Sequence, residues 1–458
     1  MLIRLILFFC LSNHLLASSV DPMLEPLNQE LVSIDDPLKY NDFFNRVQKL
    51  SLENPEHEGL LLYSSVARLL QSIEGITWLE EGFYRQSDFL YSIFVSFMRS
   101  TYSPDYVIGT HVRKYGRYFT EPHMKMGQFA NLSDLQDHLI KVIMPALDHL
   151  ISVLDRLSRK EKIELVLDQH VLVGFVAKER TTNKEDWFFI PEDERFRILR
   201  APHFALMKSQ MELLAGVVSY FSAYNLDLFP KYIDYLIQTV TWRSLKKILL
   251  FRKYVEPLTT QDKVEALKKD KFKNFLTLTK PLMTLKALEY WRNSTLSRRL
   301  ALEKFQKMNR SSSQDLWDVD EFKWRAKTEL PMLRLREEFL NAAVHGEDYK
   351  ITVPATRYTF KLRPKQLFMI TDYKSLLAKT FYGEAQRKTW EIDHKVAPHP
   401  LYGEFTVWDF NYGKPVTYLD PTFNFFLPEA NDENYLELIK SLRLYPAIAP
   451  FVNLLPLH

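Results

Sequence analysis

From Asp36 to His345 apolar residues return at every third and fourth position, a spacing that suits packed helices and little else. The clearest run is Leu135, Leu139, Val142, Ile143, Ala146, Leu150, Leu154 and Leu157, one apolar face of an amphipathic helix. Ser133-Asp-Leu-Gln136 reads as the capping box that opens it, and Pro145 predicts a kink within it. The same periodicity predicts helices over about 60–73, 80–100, 160–178, 204–224, 230–255, 260–310 with a break near Pro281, and 318–345. Glycine supports the assignment, because only 12 of 458 residues are Gly, and large sheets and dinucleotide folds spend glycine on turns and phosphate loops. No 34-residue, ankyrin or leucine-rich period persists. The helical body is therefore expected as either an irregular solenoid or a compact bundle.

His345-Gly346 marks the end of the helical pattern, a histidine in the last turn followed by a residue that tolerates a left-handed terminus. Beyond it the period falls to two at Tyr349, Ile351 and Val353, and again at Tyr358, Phe360 and Leu362. Further strands are expected at Glu404–Phe410 and Pro415–Leu419, joined by a hairpin loop at 411–414, then a last helix near 432–444. The fold class is mainly α: a helical domain over 20–346, with a possible subdivision near 190–203, and a small α+β cap over 347–458 containing short antiparallel strands.

Residues 1–19, MLIRLILFFCLSNHLLASS, carry one cation, an apolar run and a small-residue exit, the pattern of a signal peptide. Cleavage after Ser19 would remove Cys10, the single cysteine, leaving a cysteine-free protein in which thiol chemistry and disulfides are excluded. A large exported chain without disulfides fits a bacterial envelope, periplasmic or secreted. No later stretch is long and apolar enough to span a bilayer, so membrane contact is expected to be peripheral.

Charge is unevenly spread. Residues 231–310 hold nineteen Lys and Arg against seven Asp and Glu, a surplus of twelve in a chain whose net charge is +3. Such a surplus points to an anionic envelope component or an acidic protein as partner, with nucleic acid disfavoured by the export signal. Within it Trp242, Lys246, Lys247, Arg252 and Lys253 interleave aromatic and basic side chains as interfacial helices do. A second candidate binding loop holds His111, Arg113, Arg117 and His123 around two glycines.

Asp393, His394 and His399 supply the atom types for general base or metal chemistry, with Asp409 as a further ligand across a hairpin. Their spacing matches no compact metal motif, and His399 is stiffened between two prolines. Glu80-Glu81 is a weaker acid pair on a helix. No serine-hydrolase elbow, phosphate loop or dinucleotide fingerprint occurs, and no cofactor is called for. The expectation is a binding or scaffold protein. A hydrolase of envelope polymers around Asp393, His394 and His399, and a structural subunit of an envelope assembly, stand as alternatives.

Overall fold

A computed structural model describes residues 21–34, 36, 39–93, 95, 118–119, 127–168, 196–249, 266–267, 269–308, 315–352, 359–371, 392–399, 403–410 and 427–429. The leader at 1–19, the strand expected at 415–419 and the helix near 432–444 lie outside them. The fold is mainly α, with short antiparallel strands in the C-terminal region. By its internal contacts the chain divides into two compact units: Met1–Asp234 with Thr279–Leu340, and Tyr235–Leu278 with Asn341–His458.

The first unit begins with α1 (Glu25–Ser33), α2 (Lys39–Glu53), α3 (Glu58–Ser72) and α4 (Ile76–Tyr84). It continues through α5 (Leu132–His138), a π-turn over Leu139–Ile143 and α6 (Met144–Ser158). Strands β1 (Glu164–Asp168) and β2 (Phe196–Arg200) follow, then α7 (Ala201–Phe221), α8 (Phe229–Leu249), which runs into the second unit, α9 (Pro281–Lys307) and α10 (Val319–His345). One contiguous core holds Leu60, Leu69, Leu79, Leu139, Leu147, Leu154, Phe204 and Leu214. These are the third-and-fourth-position residues of the sequence pattern, now facing one another.

The Pro145 kink takes a definite form. Proline has no N–H to give the preceding turn, and the helix widens to π geometry over Leu139–Ile143 before α6 resumes with Pro145 in its first turn. The helix start differs from the expected box. Asn131 is the N-cap, and the Asp134 carboxylate accepts its N–H at 2.9 Å and that of Ala130 at 3.0 Å. Gln136 turns away and donates to the carbonyls of Phe221 and Tyr224 at 2.8 and 2.9 Å, closing the C-terminal end of α7.

Helices α7 and α9 run antiparallel and pack closely because small residues line the seam. A Cβ on Gly216 would stand 2.4 Å from the Trp291 ring, which is itself buried. One helical span away, Ser209 and Ser294 exchange hydrogen bonds, each hydroxyl donating to the other's backbone carbonyl at 2.9 and 2.7 Å. Burial of an indole of this kind stabilises by roughly 3 kcal/mol or more.

Residues 160–168 correct the helix expected there: β1 pairs antiparallel with β2 in register Val166 to Ile198. Ile163, Leu165 and Leu167 alternate with Glu164, Val166 and Asp168, so the two-residue period was present but masked by apolar residues at both parities. Helix α4 stops at Tyr84, with residues 88–93 forming a separate turn of helix after a break at Arg85-Gln86-Ser87.

In the second unit β3 (Tyr349–Thr352) pairs antiparallel with β4 (Thr359–Leu362), and Ile351, Phe360 and Leu362 are buried while their neighbours are not. Gly346 has φ +76°, and Glu347 N–H returns to the Ala342 carbonyl at 2.9 Å, the left-handed stop read from the sequence. A short α11 (Pro364–Phe368) follows, then β5 (Ile392–His399) paired antiparallel with β6 (Gly403–Phe410).

Candidate functional site

The described part of the basic stretch separates into cations that are spent internally and cations that are not. In the first unit Arg298 bonds Glu329 at 2.6 Å, Arg299 lies 3.1 Å from Glu337, Lys280 bonds Asp137 at 2.7 Å, and Lys304 donates to the Ser158 carbonyl at the end of α6. These side chains fasten helices together.

In the second unit the segment Lys269-Asp-Lys-Phe-Lys-Asn-Phe-Leu276 alternates lysine with phenylalanine, and the structure sorts the two. Phe272 and Phe275 are buried anchors, whereas Lys269, Lys271 and Lys273 are exposed. A 3-10 turn over Asp270–Phe272 sets this alternation, and Leu276 closes it at φ +62°, a left-handed conformation costly for a side chain with a Cβ. The ammonium groups of Lys269 and Lys271 each stand 4.4 Å from the ring centre of Tyr235 on α8. Phe272 backs that ring edge-on at 6.0 Å. The Lys269 hydrogen bond, aided by the Lys269 and Lys271 charges, holds the Tyr235 phenol below its usual range against a smaller opposing effect of burial. Neither ammonium has a carboxylate partner among the described residues. Two like charges drawn to one ring repel each other, and a multivalent oxyanion between them would relieve that repulsion.

A second constellation lies inside the first unit, between α6, α7 and α9. Lys208 bonds Asp155 at 2.6 Å and sits 3.6 Å from Glu212, one turn along α7. Asp155 also holds Arg159 at 2.5 Å, while Tyr290 donates to Asp148. Glu212 is 3% exposed; burial pushes its carboxyl up, and the Ser297 hydroxyl and Lys208 oppose that only in part. Its Oε2 has no hydrogen-bond partner among the described residues. An acid with raised affinity for its proton is a common catalytic element, but this one is sealed between three helices and acts on their packing.

His203 is the most perturbed histidine described. Its Nδ1 accepts the Arg200 N–H at 2.9 Å and caps α7, and its ring packs on Phe305 and Trp317 at 5.3 and 5.5 Å. Burial, helped by the adjacent Arg200 charge, brings its pKa down to about 3. Arg200 Nε lies 3.1 Å from the fully buried Asp315 carboxylate, an ion pair inside the unit. This is a structural cap.

Among the residues singled out from the sequence, His111, Arg113, Arg117, His123, Arg252 and Lys253 lie outside the described residues. Trp242, Lys246 and Lys247 fall on α8, where Trp242 and Lys246 follow Tyr235 by seven and eleven residues, positions that share a helix face. The β5–β6 ladder sets Asp393 opposite Asp409, His394 opposite Trp408 and His399 opposite Gly403. His394 and His399 occupy strand positions of opposite parity, five residues or about 17 Å apart. Glu81 accepts from Arg85 at 2.6 and 3.2 Å, from Tyr91 at 3.3 Å and from Gln128 at 3.3 Å, which makes it a structural clamp at the end of α4. Among the described residues no group of three or more His, Cys, Asp or Glu is placed to hold a metal, and no helix is long and apolar enough to cross a membrane.

Sequence reading passed over Lys269, Lys271 and Tyr235. The lysine–phenylalanine alternation was the signal that could have found the lysines; Tyr235, thirty-four residues earlier, had none.

Set against family models, curated proteins and solved structures, the chain matches none of them.

Proposed function

We propose that the protein is an exported binding protein of the bacterial envelope whose basic stretch, residues 231–310, docks an anionic envelope component. The clasp of Lys269 and Lys271 on Tyr235 carries this reading. It is an exposed, uncompensated pair of cations on a turn anchored by Phe272 and Phe275, whereas the described cations of α9 that form ion pairs serve the fold. Trp242 and Lys246 occupy positions of α8 in phase with Tyr235. The phenol contributes a polar tip and an apolar body, the combination that suits a headgroup boundary.

Cosedimentation with phosphatidylglycerol vesicles, using phosphatidylcholine vesicles as the neutral control, tests the reading. Retention on the anionic vesicles should weaken at least ~10-fold in the Lys269→Glu/Lys271→Glu double variant, and should fall with rising salt in the native chain. Equal retention on neutral and anionic vesicles, or salt-insensitive retention unchanged by the charge reversal, would overturn it.

A further inference from the structure

Helix α10 has two apolar faces and only one is buried. Phe322, Ala326, Leu330 and Leu333 pack on Ala301, Leu302 and Phe305 of α9. On the opposite side Trp324, Thr328, Pro331, Met332 and Leu335 recur at helical spacing and are exposed; Trp324 is 64% accessible. Nothing in the pairing chemistry of α10 requires that face to be apolar. Its acids Glu329 and Glu337 hold Arg298 and Arg299 of α9, and Asp320 and Glu321 hold Lys323 and Arg325 of α10 itself.

The charges left over are arranged. Lys327, Arg334 and Glu338 are exposed along one edge of the stripe, and none has an ion-pair partner among the described residues. Lys327 and Glu338 are opposite in sign and eleven residues apart, about 16 Å along a helix. Their midpoint falls level with Met332, within the apolar stripe. When two copies of a helix pack antiparallel about a two-fold axis, the same edge of each meets the other in reverse order. An axis at that midpoint sets Lys327 opposite the partner subunit's Glu338, and Glu338 opposite the partner subunit's Lys327, while the apolar stripes close on each other.

We infer that this face of α10 is the interface of a two-fold homodimer, with a second copy of the chain as its occupant. The inference does not depend on the anion site. Arg334 lies near the axis at the outermost position of the edge, so its guanidinium turns to solvent and away from its counterpart.

Light scattering and sedimentation velocity on the full chain at ~1–100 µM test this. The native chain should be dimeric within that range. Lys327→Glu and Glu338→Lys should each weaken the dimer ~10-fold or more by bringing like charges together, and the double charge swap should restore it to within ~3-fold. Arg334→Ala should tighten it slightly, and Trp324→Asp should give a monomer with unchanged circular dichroism. A native chain that stays monomeric, or a double swap that behaves as the sum of its single changes, overturns the proposal. So does a monomer whose Trp324 fluorescence, isolated by difference against Trp324→Phe, shifts on phosphatidylglycerol vesicles, since that would assign the stripe to a membrane.

Discussion

Lys208 and Lys269 are both lysines of a nearly neutral chain, yet their surroundings invert their roles. Lys208 is one-fifth exposed and bridges Asp155 on α6 to Glu212 on its own helix, so its charge is compensated and its removal takes a cation from two carboxylates. Lys269 is exposed, shares an aromatic ring with Lys271, and strands nothing when removed. Charge that is answered inside the protein stabilises the fold; charge left unanswered on a rigid turn is available to something else. Net charge alone hides the difference, because +3 over the whole chain averages the two cases.

The sharpest way to break that contrast lies in acid. His203 is neutral in the fold down to about pH 3, while in the unfolded chain it takes up a proton near its ordinary value. Below pH ~6.5 the unfolded state therefore gains ~1.4 kcal/mol per pH unit from this one group, and stability should fall with that slope until pH nears 3. Urea unfolding midpoints between pH 7 and 4 should show it. The His203→Asn variant, whose side-chain oxygen can still accept the Arg200 N–H, should show a shallower decline.

Lys208→Ala should cost ~2 kcal/mol in the same assay, less than a wholly buried pair because Asp155 keeps Arg159 and some solvent. Lys269→Ala should change stability by less than ~0.5 kcal/mol. A Lys269 variant as unstable as the Lys208 variant would erase the distinction drawn between the two regions.

Glu212→Gln gives a smaller effect of opposite sign. At pH 4 the native carboxyl and the amide are both uncharged, and the two chains should be about equally stable. As pH rises the unfolded carboxyl ionises first, so the native chain loses stability relative to the variant. An amide variant that is the weaker of the two at pH 7 would show that Lys208 outweighs burial. Smallest of all, Lys269→Ala should move the Tyr235 phenol up toward its ordinary range, read by isotope-labelled tyrosine resonances during alkaline titration.

The helical body was legible because its driving force is periodic: Leu139, Leu150, Leu154 and Leu157 had to face one core whatever the tertiary arrangement. The strand pair β1–β2 was obscured because Leu165 and Val166, at both parities, are apolar, and the partner strand lies some thirty residues on. The cap difference has a tertiary cause: Gln136 bonds the Phe221 and Tyr224 carbonyls across a sequence gap of more than eighty residues, which a local motif does not contain. The candidate anion site was legible in charge and invisible in focus, since the surplus over 231–310 does not reveal which lysines α9 and its neighbours already hold.

The π-turn over Leu139–Ile143 also sets a phase. Each residue of an α-helix advances ~100° around the axis, so the one residue gained there rotates α5 relative to α6 by that amount. That rotation aims Leu132 and Leu135 into the core while Gln136 meets the end of α7. Deleting Val142 would restore uniform α geometry and turn α5 out of phase, carrying Gln136 away from the Phe221 and Tyr224 carbonyls. A helix locally improved would thereby lose its address in the fold.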